Sequence, residues 1–152
     1  FSTDDKRIPD SFSIARERGI EFSFTPNEIE TEVHPNTVDI AMTGSSGRRM
    51  TVRGESLGGG KIRITRINQA EVDFSGEYNT LIVIQKDRQG VIAHITGCLS
   101  KANVNIAFLK LFREAKGSTA YSIVEFDGSL PEGIPDEIRK NPNVKDVMLI
   151  EL

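Results

Sequence analysis

Four consecutive apolar residues, Leu81-Ile82-Val83-Ile84, carry no polar face and read as a central strand of a sheet. The residues C-terminal to that strand constrain the fold around it. Asp87-Arg88-Gln89-Gly90 is a tight turn, and Val91, Ile92, Ile95, Cys98, Leu99 and Ala102 then recur at helical spacing, with Asn103 as a cap. A strand starts at Asn105 and runs through Ile106, Phe108, Lys110 and Phe112; Lys116-Gly117 turns it into a second strand over residues 120–126. Residues 131–140 form a second helix with Ile134 and Ile138 on one face, and residues 144–152 form the last strand. The order βαββαβ is ferredoxin-like, with two helices on one face of a four-stranded antiparallel sheet.

The small polar joint Ser75-Gly76-Glu77-Tyr78 divides this half from the front one, giving expected domains over residues 1–76 and 77–152. In the front half, Pro9-Asp10-Ser11 opens a short helix to about Arg18, with Gly19 as its stop. Ile20, Phe22 and Phe24 alternate with polar residues and predict a strand, followed by an acidic loop over residues 27–32. Further strands are expected over residues 38–42, 50–53, 61–67 and 71–74, with Gly44-Ser45-Ser46-Gly47 as a turn. The basic pair Arg48-Arg49 reads as a solvated hairpin tip. The whole is α+β: a mainly antiparallel sheet with a helix on one face, then the ferredoxin-like half.

Composition removes several function classes. At 38% hydrophobic and 27% charged residues, the chain is that of an ordinary globular protein with no run approaching a membrane span. A net charge of -3 leaves no basic stripe for nucleic acid. Cys98 is the one cysteine, so neither a disulfide framework nor a cluster held by this chain's thiolates alone is possible. His34 and His94 lack metal-site spacing, so no metal is expected here, and the cytoplasm is the expected compartment. The chain starts at Phe1 instead of Met, which suggests a piece of something longer.

Two stretches could bind a ligand. At Asp87-Arg88-Gln89-Gly90-Val91 a glycine precedes a helix whose free N–H groups favour a carboxylate or phosphate; alternatively, Gly90 only makes the turn. Glu55-Ser56-Leu57-Gly58-Gly59-Gly60-Lys61 is neither a Walker loop, since Ile62 follows the lysine, nor a dinucleotide fingerprint, since a strand follows the glycines. It is either a cradle of backbone N–H groups with Lys61 adding charge, or a strand connection whose glycines permit positive φ. His34-Pro35-Asn36-Thr37 supplies imidazole, amide and hydroxyl groups suited to a small polar acid, but no nucleophile stands near to make His34 catalytic.

Asp87 to Ile92, with Ser100-Lys101-Ala102-Asn103-Val104-Asn105-Ile106-Ala107, closely resembles the ACT domain, a small-molecule sensor of amino-acid metabolism. The resemblance implies side-by-side pairing, and contacts to an amino acid from Gln85, Asp87, Gly90, Val91, Asn105 and Ile106. Serine-sensing members tend to carry His where Gln85 stands and Asn where Asp87 stands. Asp87 suits an ammonium group and would repel a carboxylate.

The opening Asp4-Asp5-Lys6-Arg7-Ile8-Pro9-Asp10-Ser11, the His-Pro-Asn-Thr segment, Ser56 through Lys61 and the ACT-like end together resemble the β chain of iron–sulfur-dependent bacterial L-serine dehydratase. The front half resembles the allosteric substrate-binding domain, also found in some D-3-phosphoglycerate dehydrogenases. The resemblance implies a β chain lacking its first portion, including a serine- and histidine-rich segment. It also implies a partner α chain carrying the 4Fe-4S cluster, and no catalytic residue in this piece. His34, Asn36, Thr37, Ser56, Gly58, Gly59, Gly60 and Lys61 become candidate ligand or interface contacts, with L-serine as a candidate ligand. The alternatives are a sensor module of a phosphoglycerate dehydrogenase, or an ACT-paired amino-acid-binding module without an enzymatic partner.

Overall fold

Pro9 lies in a 3-10 turn, Ile8–Asp10, whose fixed φ leads directly into helix α1, Ser11–Glu17. These belong to a computed structural model that describes every residue except Ser2, Thr3, Glu28 and Thr31. The acidic loop expected over residues 27–32 includes Glu28 and Thr31, which lie outside the described residues. Contacts group the chain into two units, Phe1–Val33 and His34–Leu152.

In the first unit Gly19, at φ +70°, ends the helix as expected. The strand expected at Ile20, Phe22 and Phe24 does not form. Alternation supplies an apolar side, but a strand also needs a neighbour for its N–H and C=O groups, and the described residues of this unit include no other strand. The aromatic side packs locally instead: the Phe12 ring lies 5.1 Å from Phe22 and 5.4 Å from Phe24, centroid to centroid.

The second unit holds two four-stranded antiparallel sheets. The first is a meander of β1 (Thr37–Thr43), β2 (Arg49–Gly58), β3 (Lys61–Ile67) and β4 (Ala70–Phe74), paired in chain order. Strand β2 runs further than expected, through Ser56 to Gly58, because β1 and β3 satisfy its backbone on both sides. The isoleucines of β3 do not share a simple two-residue repeat. Gly54 pairs with Ile64 and Arg53 with Arg66, so Thr65 is the extra residue of a bulge, and that slip turns Ile67 into the core.

The second sheet contains β5 (Asn79–Lys86), β6 (Ile106–Arg113), β7 (Thr119–Phe126) and β8 (Val144–Ile150), ordered β6-β7-β5-β8. Helices α2 (Val91–Lys101) and α3 (Ile134–Arg139) complete the ferredoxin-like connectivity. Leu81, Val83, Val124 and Val147 pack under the helices with Val91, Ile95, Leu99 and Ile138. The opposite face of this sheet, with Ile82, Tyr121 and Ile123, packs against Ile67, Ala70, Val72 and Phe74 of the first sheet. The first sheet is therefore covered by the second one, whereas α1, expected to cover it, belongs to the other unit. Arg48, expected as a solvated tip, pairs with Asp146 of β8. The joint between sheets is close-packed: at Gly76, φ +65°, a Cβ would lie 3.0 Å from Ile62 Cδ1.

Tyr121 gives the shared core a pH signature. Burial first of all, then the hydrogen bond and charge of Glu114, raise its phenol above the ordinary value, against a lowering bond from Asn68. A proton held more tightly when folded stabilises the protein below the unfolded pKa of about 10, and that stability is lost as pH rises through the higher folded value. Resistance to urea unfolding should thus fall above about pH 10. Tyr121→Phe should reduce the alkaline slope; an unchanged slope would show that Tyr121 does not contribute.

Candidate functional site

The glycine stretch is a hairpin. Gly58 pairs with Lys61, leaving Gly59-Gly60 as a two-residue connection between β2 and β3. Gly58, Gly59 and Gly60 have φ of +86°, +62° and +78°, and a Cβ on any of them would meet nothing within 4 Å. Backbone conformation, not crowding, accounts for all three glycines. Positive φ at both central residues is what a type I′ hairpin turn requires, and Gly58 follows a register shift between Ser56 and Gly58.

Strand pairing brings part of the His-Pro-Asn-Thr segment to this strand. Thr37 pairs with Glu55, and the Ser56 N–H donates to the Asn36 carbonyl at 3.0 Å. His34 is half-buried and turned inward on its own loop: its Nδ1 accepts from the Asn36 N–H at 3.2 Å, and the Thr37 hydroxyl donates to its carbonyl at 2.6 Å. Ser56 and Asn36 thus meet through backbone atoms, with Gly58, Gly59 and Gly60 further along the hairpin.

The second group of candidates divides between the two ends of α2. At one end, Gly90 is the N-cap at φ +83°, Val91 is fully buried, and the Asp87 carboxylate accepts from the Gly117 N–H at 2.9 Å and pairs with Arg113 at 3.5 Å. Gln85 is 1% exposed, and its Oε1 accepts from the Ser122 hydroxyl at 3.1 Å. At the other end, Asn105 Nδ2 donates to Asp127 at 2.7 Å, and Ile106 packs against the core. An 11-residue helix is roughly 16 Å long, so one copy of the chain does not bring Asp87 and Asn105 to a common ligand.

The donor set does not fit an iron–sulfur cluster. Cys98 sits half-buried on α2 with His94 Nε2 3.8 Å from its sulfur, and no group of three or more His, Cys, Asp or Glu among the described residues is placed to hold a metal ion. No helix among the described residues is long and apolar enough to cross a membrane.

A ferredoxin-like sheet backed by an antiparallel meander, with polar loops at its ends, defines an α+β protein of two packed antiparallel sheets. Similarity to known proteins gives it a family. The chain is 34% identical over 150 residues to the probable L-serine dehydratase, beta chain, of Bacillus subtilis, covering 99% of this chain and 67% of that one. It is 32% identical to the L-serine dehydratase, beta chain, of Peptoniphilus asaccharolyticus, covering 91% of this chain and 62% of that one. The chain belongs to the L-serine dehydratase beta-chain family and spans about two thirds of the length of these relatives. Similarity to a Bacillus subtilis D-3-phosphoglycerate dehydrogenase, 30% identical, covers 91% of this chain and 26% of that one. No protein-family model matches. A solved ACT domain from the GTP pyrophosphokinase of Chlorobium tepidum is 23% identical with a TM-score of 0.39, covering 47% of this chain and 95% of its own. The strand order itself, rather than that likeness, establishes the topology.

Proposed function

We propose that the chain is the regulatory and assembly part of an L-serine dehydratase, supporting a cluster-bearing α chain that converts L-serine to pyruvate and ammonia. The observation that carries this reading is the 34% identity to a beta chain along 99% of this chain and 67% of the relative. The dehydrogenase reading rests on similarity to 26% of its relative's length. In this proposal residues 1–76 sit against the catalytic unit, residues 77–152 are an ACT module, and the enzyme works in the cytoplasm. With one cysteine in the chain, the 4Fe-4S cluster falls to the α chain.

The position of β6 supports the ACT part of the proposal. β6 lies at the edge of its sheet. Antiparallel pairing of two β6 edges about a twofold would bring the Asp87, Gly90 and Val91 end of one copy to the Asn105 and Ile106 end of its partner. The ligand candidates that one chain keeps apart would then line one interface.

Size-exclusion chromatography with the cluster-bearing α chain of an L-serine dehydratase should show co-elution. Pyruvate should form from L-serine in the mixture and not with this chain alone. Turnover by the isolated chain, or failure to form any complex, would overturn the proposed division of labour.

A further inference from the structure

Where the end of the β2–β3 hairpin overhangs the start of β6, the two sheets leave a cleft of about 370 Å³. Leu57 and Ile62 form one wall, Phe74 and Tyr78 line the joint side, and Phe108 closes the other wall with its ring 5.6 Å from Tyr78 in an edge-on arrangement. Such a volume is in the range of small-molecule sites, which combine apolar walls with a few converging polar groups.

The polar groups are unevenly satisfied. Glu125, on β7, lines the cleft at 3% exposure; its carboxylate accepts a hydrogen bond from the Ser75 hydroxyl at 3.1 Å and has no ion pair among the described residues. A buried carboxylate is costly unless a cation meets it. The cations lining the same cleft do not serve it. Lys110 bonds the Asp73 carbonyl at 2.6 Å and its carboxylate at 3.2 Å, and Arg63 bonds Glu55 at 2.8 Å. Lys61, exposed beside the turn at the tip of the hairpin, lines the cleft with no side-chain hydrogen bond or ion pair of its own among the described residues.

We infer that this cleft binds an α-amino acid with a large apolar side chain. The ligand ammonium meets Glu125, its carboxylate meets Lys61, and its side chain lies between Phe108 and Ile62. The apolar walls and the volume favour such a body over a small hydroxyl-bearing one. The site is formed by one chain, on the face of the second sheet turned away from α2, and does not depend on the dehydratase reading. It also gives the glycine hairpin a role: the turn aims Lys61 at the cleft without itself gripping a ligand.

Calorimetric titration of the chain with L-phenylalanine or L-leucine should show saturable binding. 3-Phenylpropionate, which lacks the ammonium, and phenethylamine, which lacks the carboxylate, should bind at least about tenfold more weakly, since each leaves a charge unanswered. Glu125→Gln should weaken L-phenylalanine binding about tenfold or more and Lys61→Met several-fold. Lys61 is exposed, so its variant tests the site without disturbing the core. Amide chemical shifts should move in the 57–62 and 75–78 segments on ligand addition. No binding by either amino acid, equal binding of the three phenyl compounds, insensitivity to Lys61→Met, or shifts confined to residues 87–91 and 105–106 would overturn the inference. None of these outcomes bears on assembly with an α chain, which the co-elution experiment decides separately.

Discussion

Phe74→Ala should destabilise the unit His34–Leu152 by about 3–5 kcal/mol, the usual cost of emptying a buried aromatic site. Phe74 is 4% exposed on β4, yet its core includes Ile82, Tyr121 and Ile123 of the other sheet. The loss should therefore fall on both sheets at once. Far-UV circular dichroism reports all strands, and tyrosine fluorescence, from Tyr78 at the joint and Tyr121 in the shared core, reports the packing between the sheets. Both should follow one urea transition, shifted together to lower urea in the variant. Two separate transitions in the parent protein would show that the sheets are stable independently and that their contact contributes little.

The second large effect concerns the hairpin. Placing alanine at Gly58, Gly59 and Gly60 together should cost about 3–6 kcal/mol, since each residue has positive φ and a left-handed conformation costs about 1–2 kcal/mol for a residue with a Cβ. Gly59→Asn alone should be nearly neutral, because asparagine followed by glycine is a favoured type I′ pair. The space around the turn is open, so steric clash is not a competing cause. Measured by urea unfolding, a small effect of the triple substitution would mean that the hairpin adopts another turn at little cost.

Much of the architecture can be read locally. The pattern from Leu81 to Ile150 predicts β5, α2, β6, β7, α3 and β8 in order, and the structure contains all six. Their periodicity is set by side chains within one element, so a short window suffices. The front half is less legible for the same reason. Ile20, Phe22 and Phe24 alternate like a strand but lack a neighbour, and Thr65 hides a bulge that no local pattern announces. That β4 lies across the ferredoxin-like sheet depends on a shared core that includes Phe74 and Ile123, far apart in sequence.

The candidate sites obey the same physics. Asp87, Gly90 and Lys61 are recognisable because charge and glycine next to a turn are local signals. Glu125 does not stand out in the sequence: within residues 120–126 it looks like an ordinary outward-facing strand position. Only the covering of that face by the first sheet makes it a buried carboxylate. Its one local signal is a charged residue flanked by Val124 and Phe126 in a strand otherwise poor in charge. Gln85, a candidate through the ACT resemblance, and Val91, a candidate at the helix start, are instead held inside.

The joint between β4 and β5 has a mechanical consequence. Residues 75–78 span at most about 14 Å even when extended, and Gly76 is pressed against Ile62. A link this short has no slack, and the packed core prevents the sheets from sliding past each other. Any displacement of β6 or of the β2–β3 hairpin must then be carried as tilt of one stiff body. The two sheets are tied like the arms of a welded bracket, and lengthening the joint should let them move independently.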